Sequence, residues 1–254
     1  MTTVREPAVA GTFYPNDAAT LSALISTYLE GDAGLNCPKA IIAPHAGYTY
    51  SGAIAGEVYR KLGSAHDKIK RVVLLGPSHR VAFKGMAVPL STSFRTPLGD
   101  IPVDSESIQQ IVDGTSVGYL DEAHREEHSL EVHLPFLQHA LDDFTLVPIV
   151  VGNASKESVA AVLEKLWGGD ETIVVISTDL SHFETYDTAN SLDANTTRKI
   201  MMLDATLNGD EACGCRPVNG LLHYIKTHGL AIETVNVKNS GDTAGDKRRV
   251  VGYG

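Results

Sequence analysis

The sequence predicts an α/β protein, a single domain over residues 1–254 with a central, mostly parallel or mixed sheet flanked by helices. Three observations carry that expectation. Apolar runs recur at Ala40-Ile41-Ile42-Ala43, Val72-Val73-Leu74-Leu75 and Ile173-Val174-Val175-Ile176, and each leads into a loop that carries a histidine: His45, His79 and His182. Runs without polar alternation are buried on both faces, as strands of a parallel sheet are. Segments with helical spacing separate the runs, and no Pro/Ser-rich linker, low-complexity tract or repeat interrupts the 254 residues.

In chain order, Asp17 to Tyr28 has Leu21, Leu24, Ile25 and Tyr28 on one helical face. Strand 40–43 follows, then a helix over Ala53 to Leu62, with Ile54, Val58 and Leu62 aligned, and then the strand that ends at Gly76-Pro77. Met86 to Leu90 is a short strand, and the turn residues around Pro97-Leu98-Gly99 predict a turn or hairpin before a helix at Ser105 to Val112. Strand Thr145 to Val151, helix Lys156 to Trp167 and the third histidine strand repeat the βαβ order, which places helices on both faces. Ser191 to Leu207 and Pro217 to His228 read as helices. Ala231 to Val237 and Arg249 to Tyr253 read as two last strands joined by a polar loop.

The composition is that of an ordinary globular protein, 43% hydrophobic and 20% charged. A formal net charge of −10 gives no electrostatic footprint for nucleic acid or an anionic membrane. The chain has no apolar run long enough to span a bilayer, and Met1 to Pro7 lacks a secretory core, so a cytoplasmic protein is expected. Cys37, Cys213 and Cys215 cannot all pair with one another and are expected as free thiols in a reducing compartment. No glycine-rich dinucleotide or phosphate motif occurs, so no nucleotide cofactor is implied.

Loops at the carboxyl ends of parallel strands converge on one crevice, so the three histidines point to one pocket. His45, His79 and Cys213 together offer two borderline nitrogens and a soft sulfur, a set suited to Fe(II), copper or zinc, and three protein ligands leave positions open for chemistry. Cys213 precedes a predicted helix N-terminus, where the dipole would ease thiolate formation. Asp179 and His182 share a loop, which suits His182 to carry a proton while Asp179 orients it or joins the metal; the competing reading is a turn-capping Asp and a solvent-facing His. His124 to His128 forms His-x-x-Glu-His, an inverted zinc-hydrolase motif. Pro135 and a cap at Ser129 instead suggest a helix beginning after His128, which would leave His128, with Glu127, at the pocket rim. Asp121, Glu122, Glu126 and Glu131 read as a solvated acidic face.

The blocks Arg5-Glu6-Pro7-Ala8-Val9-Ala10-Gly11-Thr12-Phe13-Tyr14-Pro15, Ala43-Pro44-His45-Ala46-Gly47-Tyr48-Thr49-Tyr50-Ser51-Gly52, Gly76-Pro77-Ser78-His79, Glu127 to Pro135, Ser177 to His182 and Asn239-Ser240-Gly241-Asp242 together resemble the Memo family, in order and over nearly the whole chain. That family is similar to LigB-type class III extradiol dioxygenases, and its prokaryotic members are called AmmeMemoRadiSam system protein B. The resemblance implies a dioxygenase-like α/β fold, His45 and His79 as metal ligands and His182 as acid/base residue with Asp179 beside it. It places His128 in the pocket lining and Cys213 where the dioxygenases use a glutamate; whether Cys213 or Cys215 binds metal is open. Fe(II) is the first expectation, with copper or zinc as alternatives, in an oxidoreductase that takes a small aromatic or peptide ligand. AMMECR-like and radical-SAM proteins are the implied partners. Two other readings stand beside it: a non-catalytic peptide- or protein-interaction module in a remnant pocket, and a zinc hydrolase.

Overall fold

The three histidine runs lie side by side in one six-stranded sheet. The computed structural model describes residues 3–34 and 36–254. In spatial order the strands are Ala40–Ala43, Thr172–Ser177, Arg71–Pro77, Thr145–Val151, Met86–Val88 and Val117–Tyr119. The first four are parallel, Met86–Val88 runs antiparallel to Thr145–Val151, and Val117–Tyr119 is parallel to Met86–Val88, so the sheet is mixed. Ala43 stands opposite Ser177, and Leu75 opposite Ile176. The three strands therefore end at one level, and their exit loops are neighbours.

Helices cover both faces, and the apolar runs supply the core between them. Leu21, Ile25, Tyr48, Tyr59 and Phe136 pack one face; Val159, Val162, Leu163, Leu221 and Leu222 pack the other. Truncating one of these leucines to alanine would cost about 2–5 kcal/mol, because the cavity left closes only in part. The helix Ala18–Leu29 starts where Asp17 accepts the Thr20 amide at 2.8 Å, a carboxylate cap at the positive end of the helix. The helix after the first histidine strand spans Tyr48–Tyr59 and tightens to a 3₁₀ turn over Arg60–Ala65. The hairpin Ser93–Thr96/Gly99–Pro102 and the helices Ser105–Val112 and Lys156–Leu166 match the pattern in the sequence. Among the described residues, no helix is long and apolar enough to cross a membrane.

Three expectations are corrected. The helix placed at Ser191 to Leu207 spans Tyr186–Met201 and stops before Leu203, whose φ of +54° leaves the helical region. Ala231 to Val237 forms no strand: Thr234 and Asn236 are polar on the Ile232 face and Val235 is exposed, so apolar burial does not recompense ordering. Asn236 instead anchors the segment by donating to Glu57 at 2.9 Å. Val250–Tyr253 pairs with Lys238–Asn239 and with His182–Glu184. The third correction concerns the cap near His128. It is Glu127, whose carboxylate accepts the Ser129 amide at 2.9 Å, while the Ser129 hydroxyl donates to the Pro77 carbonyl.

Candidate metal centre

Hydrogen bonding assigns the protons of the first two imidazoles. His45 is buried in the loop after strand Ala40–Ala43, with Nδ1 2.6 Å from Ser177 Oγ. That hydroxyl spends its single proton on the Ser129 carbonyl at 2.6 Å, so it accepts from His45 Nδ1 and leaves the Nε2 lone pair free. His79 Nδ1 lies 2.8 Å from Glu127 Oε1, an acceptor only, so Nδ1 carries a proton there too and Nε2 is the nitrogen turned away from that carboxylate. His128 Nδ1 sits 3.4 Å from the same oxygen, without hydrogen-bond geometry, and its ring stacks on His79 with centroids 4.6 Å apart.

One ring nitrogen from each of His45, His79 and His128 lies within 4.8 Å of the others, a group that can hold a metal ion. Metal ligation needs neutral imidazole. Burial holds His45 well below the usual histidine range and His128 down at about 4, with neighbouring histidines adding to both shifts. Glu127 is 1% exposed, beneath the rings rather than at the rim, and its pKa is held at about 2. Its burial opposes ionisation, but donation from the His79 side chain and from the His79 and Ser129 amides outweighs that cost.

Cys213 Sγ lies 3.4 Å from His45 Nε2. Two ligands on one tetrahedral ion, with metal–nitrogen and metal–sulfur bonds of about 2.1 and 2.3 Å, stand about 3.5 Å apart, so the sulfur is at ligand spacing from His45. Cys215 instead opens the helix Cys215–His228 and packs against the apolar layer of Leu221 and Leu222. The expected easing of the Cys213 thiolate is overturned: its pKa is pushed up to about 12 by burial and by the Asp179 carboxyl, which outweigh the helix end and the Asp179 amide that donates to the sulfur at 3.3 Å. Without a metal, Cys213 is a thiol.

Asp179 caps no turn of its own. Its Oδ1 accepts the His45 amide at 2.8 Å, fixing the loop that presents that ring, and burial raises its pKa to about 7. His182 Nδ1 lies 2.8 Å from the Leu180 carbonyl, which places the proton on Nδ1 and leaves Nε2 as an acceptor. Burial lowers the His182 pKa as well. His128, Asp179 and His182 line a cavity of about 670 Å³, walled by Phe13, Tyr50 and Phe183.

His124 is not part of this centre. The helix Asp121–Arg125 breaks at Glu126, and His124 Nε2 points at the Ala87 carbonyl, 3.0 Å away, with its ring edge-on to Phe94. The inverted zinc motif is therefore not assembled on one helical face. Glu131 is also no solvated acid: it is fully buried and paired with Arg5. Sequence reasoning missed Ser177, Arg5 and Glu131, and Phe13, whose ring lies 4.8 Å from that of His128.

Fold and site together define an α/β protein whose strand-end loops gather imidazoles over a buried carboxylate. The chain belongs to the Memo family, described as Memo-like protein, whose pattern matches residues 5–254. MEMO1 family proteins of Archaeoglobus fulgidus and Aquifex aeolicus are each 35% identical to it, over 98% of this chain and 97% of theirs. The relative from Methanothermobacter thermautotrophicus is 34% identical over 98% of both chains. A solved structure of an uncharacterized Escherichia coli K12 protein, JW3007, is similar at a TM-score of 0.49 and 14% identity, covering 84% of this chain and 98% of that one.

Proposed function

We propose that the chain binds a redox-active metal, Fe(II) first and copper or zinc as alternatives, through His45, His79 and Cys213 with His128 beside them, and acts as an oxidoreductase. One observation supports the reading: His45, His79 and His128 each bring a ring nitrogen within 4.8 Å of the others, His45 and His79 have Nδ1 committed to fixed acceptors, and Cys213 Sγ lies 3.4 Å from His45 Nε2. The donor set fits borderline metals and disfavours calcium and magnesium, which require oxygen ligands. A bound metal would supply Lewis acidity and a site for electron transfer.

The remaining residues have separate tasks in this reading. His182, neutral and with Nε2 unprotonated, takes a proton from a ligand in the cavity. Asp179 holds the His45 backbone, and the Phe13, Tyr50 and Phe183 rings suit a small aromatic ligand while excluding water. AMMECR-like and radical-SAM partners belong to the same proposal.

The test is untagged protein purified anaerobically, its metals counted by mass spectrometry beside a His45→Ala, His79→Ala double variant. Near-stoichiometric iron or copper that vanishes in the variant supports the reading. Full metal content in the double variant refutes the assignment. Metal-free protein that also refuses added Fe(II), copper and zinc would favour the interaction-module reading.

A further inference from the structure

We propose that Arg5 is a positioning residue for the histidine centre. Its side chain is buried, and each guanidinium nitrogen has a different acceptor: Nε donates to the His124 carbonyl at 3.0 Å, Nη2 to the Glu127 carbonyl at 2.6 Å, and Nη1 to Glu131. The two carbonyls flank the break between the helices Asp121–Arg125 and His128–Glu131. The His124 carbonyl, at the end of the first helix, also receives the Glu126 and Glu127 amides, the latter at 3.4 Å, and Glu127 is the N-cap of the second helix, so the guanidinium adds a charge-assisted donor to each side of the break. Arg5 ties the two carbonyls together and so fixes the bend that puts the Glu127 carboxylate under His79 and His128.

The anchor of that clamp lies on the same short helix. Glu131 also accepts the Ala8 amide at 2.8 Å, the Val9 amide at 3.0 Å and the Tyr14 hydroxyl at 2.6 Å. Arg5 is held from behind by its strand, Val4–Arg5, paired with Ser93–Thr96, and its guanidinium lies 5.5 Å from the Phe94 ring centroid. One planar fork thus links the N-terminal segment to the residues on either side of Glu127. Lysine keeps the charge but cannot span three separated acceptors.

The inference rests on the metal reading for its consequence, not for its geometry, and the test separates the two. Full-length wild type, Arg5→Lys, Arg5→Gln and Tyr14→Phe are compared. Tyr14→Phe loosens the N-terminal segment at the same carboxylate but leaves both Arg5 carbonyl bonds intact. In metal-free protein labelled with ¹⁵N at histidine, long-range imidazole spectra report the tautomer of His79, and titration with Co(II) reports metal affinity.

We expect Arg5→Lys and Arg5→Gln to mix the His79 tautomers and to weaken Co(II) binding about 10- to 100-fold, the usual consequence of disturbing the groups that orient metal ligands. Tyr14→Phe should lower the melting temperature and change neither readout. If Arg5→Gln fails to fold, Arg5→Lys decides. Arg5 variants that lose stability yet keep the wild-type tautomer and Co(II) affinity would reduce Arg5 to a purely structural residue and overturn the proposal. If the wild type binds no Co(II), the metal reading falls, and the tautomer comparison alone still decides the role of Arg5.

Discussion

Replacing Glu127 by glutamine keeps the shape of the side chain and removes one negative charge from beneath two imidazoles. The carboxylate accepts from the His79 amide at 2.5 Å, His79 Nδ1 at 2.8 Å and the Ser129 amide at 2.9 Å. A carboxamide offers one acceptor oxygen, so its NH₂ must face one of these donors. Losing one buried, charge-assisted bond costs about 1.5–3 kcal/mol. The fall of the Glu127 pKa from 4.5 to about 2 gives an independent scale: it corresponds to about 3 kcal/mol in favour of the ionised form. At about 1.4 kcal/mol per tenfold, Glu127→Gln should weaken metal binding by about 10- to 150-fold. Calorimetric titration of untagged protein with Zn(II) measures it, with Glu126→Gln, an exposed neighbour, as the control. Equal affinity in the two variants would refute the claim that Glu127 sets the histidine geometry.

Further outcomes follow from the buried groups. His124 and His133 are buried with pKa values lowered by desolvation from 6.5 to about 3. A lowered base makes the unfolded state the better proton binder below 6.5, so stability is complete above that pH and is lost as pH falls toward 3, by about 2 kcal/mol per histidine at pH 5. Urea unfolding of metal-free protein at pH 7 and pH 5 should show this, and His133→Gln should shrink the loss by about 2 kcal/mol; an unchanged loss counts against burial as the cause. If Cys213 is a ligand, metal binding at pH 8 must expel its thiol proton, because that group otherwise titrates at about 12. Calorimetry in buffers of different ionisation enthalpy should find about one proton fewer released by Cys213→Ala, and equal release would remove Cys213 from the ligand set. A β-carbon at Gly214 would run into the Ser177 carbonyl and the Thr178 side chain, so Gly214→Ala should cost about 1–3 kcal/mol in denaturant unfolding; a wild-type midpoint would contradict that packing.

The sheet was legible because its central strands are buried on both faces and therefore written as unbroken apolar runs. His45, His79 and His182 were legible for a related reason: each follows such a run, and the chain order fixed which strand ends they occupy. The helix after Asp17 was legible through the helical spacing of Leu21, Leu24, Ile25 and Tyr28. Glu131 was not legible, because a lone carboxylate between Leu130 and Val132 reads the same in sequence whether it meets water or an arginine 126 residues earlier. Nor was the ionisation of Cys213, since the helix end is a local feature and the opposing Asp179 carboxyl arrives from another strand. Ala231 to Val237 misled because its β-branched residues suit a strand while its neighbours offer too little apolar surface to hold one.

The two carboxyls beside the histidines show how one chemical group is set to opposite states within one pocket. Both are buried, and for both burial favours the acid. Glu127 accepts a ring N–H and two amides through its two oxygens, and those donors carry it down to about 2. Asp179 accepts backbone amides without a ring proton of comparable strength, and burial prevails, leaving it near 7. Glu127 is therefore a permanent anion that orients imidazole protons, whereas Asp179 changes charge in the range where its neighbour Cys213 is still a thiol. The Asp179 anion raises the Cys213 pKa, so neither group favours the other's ionisation until a cation enters between His45 and the sulfur. At neutral pH the pocket keeps the Glu127 anion beneath the rings and a protonated Cys213 beside His45, and a divalent ion would supply the positive charge that draws off the thiol proton.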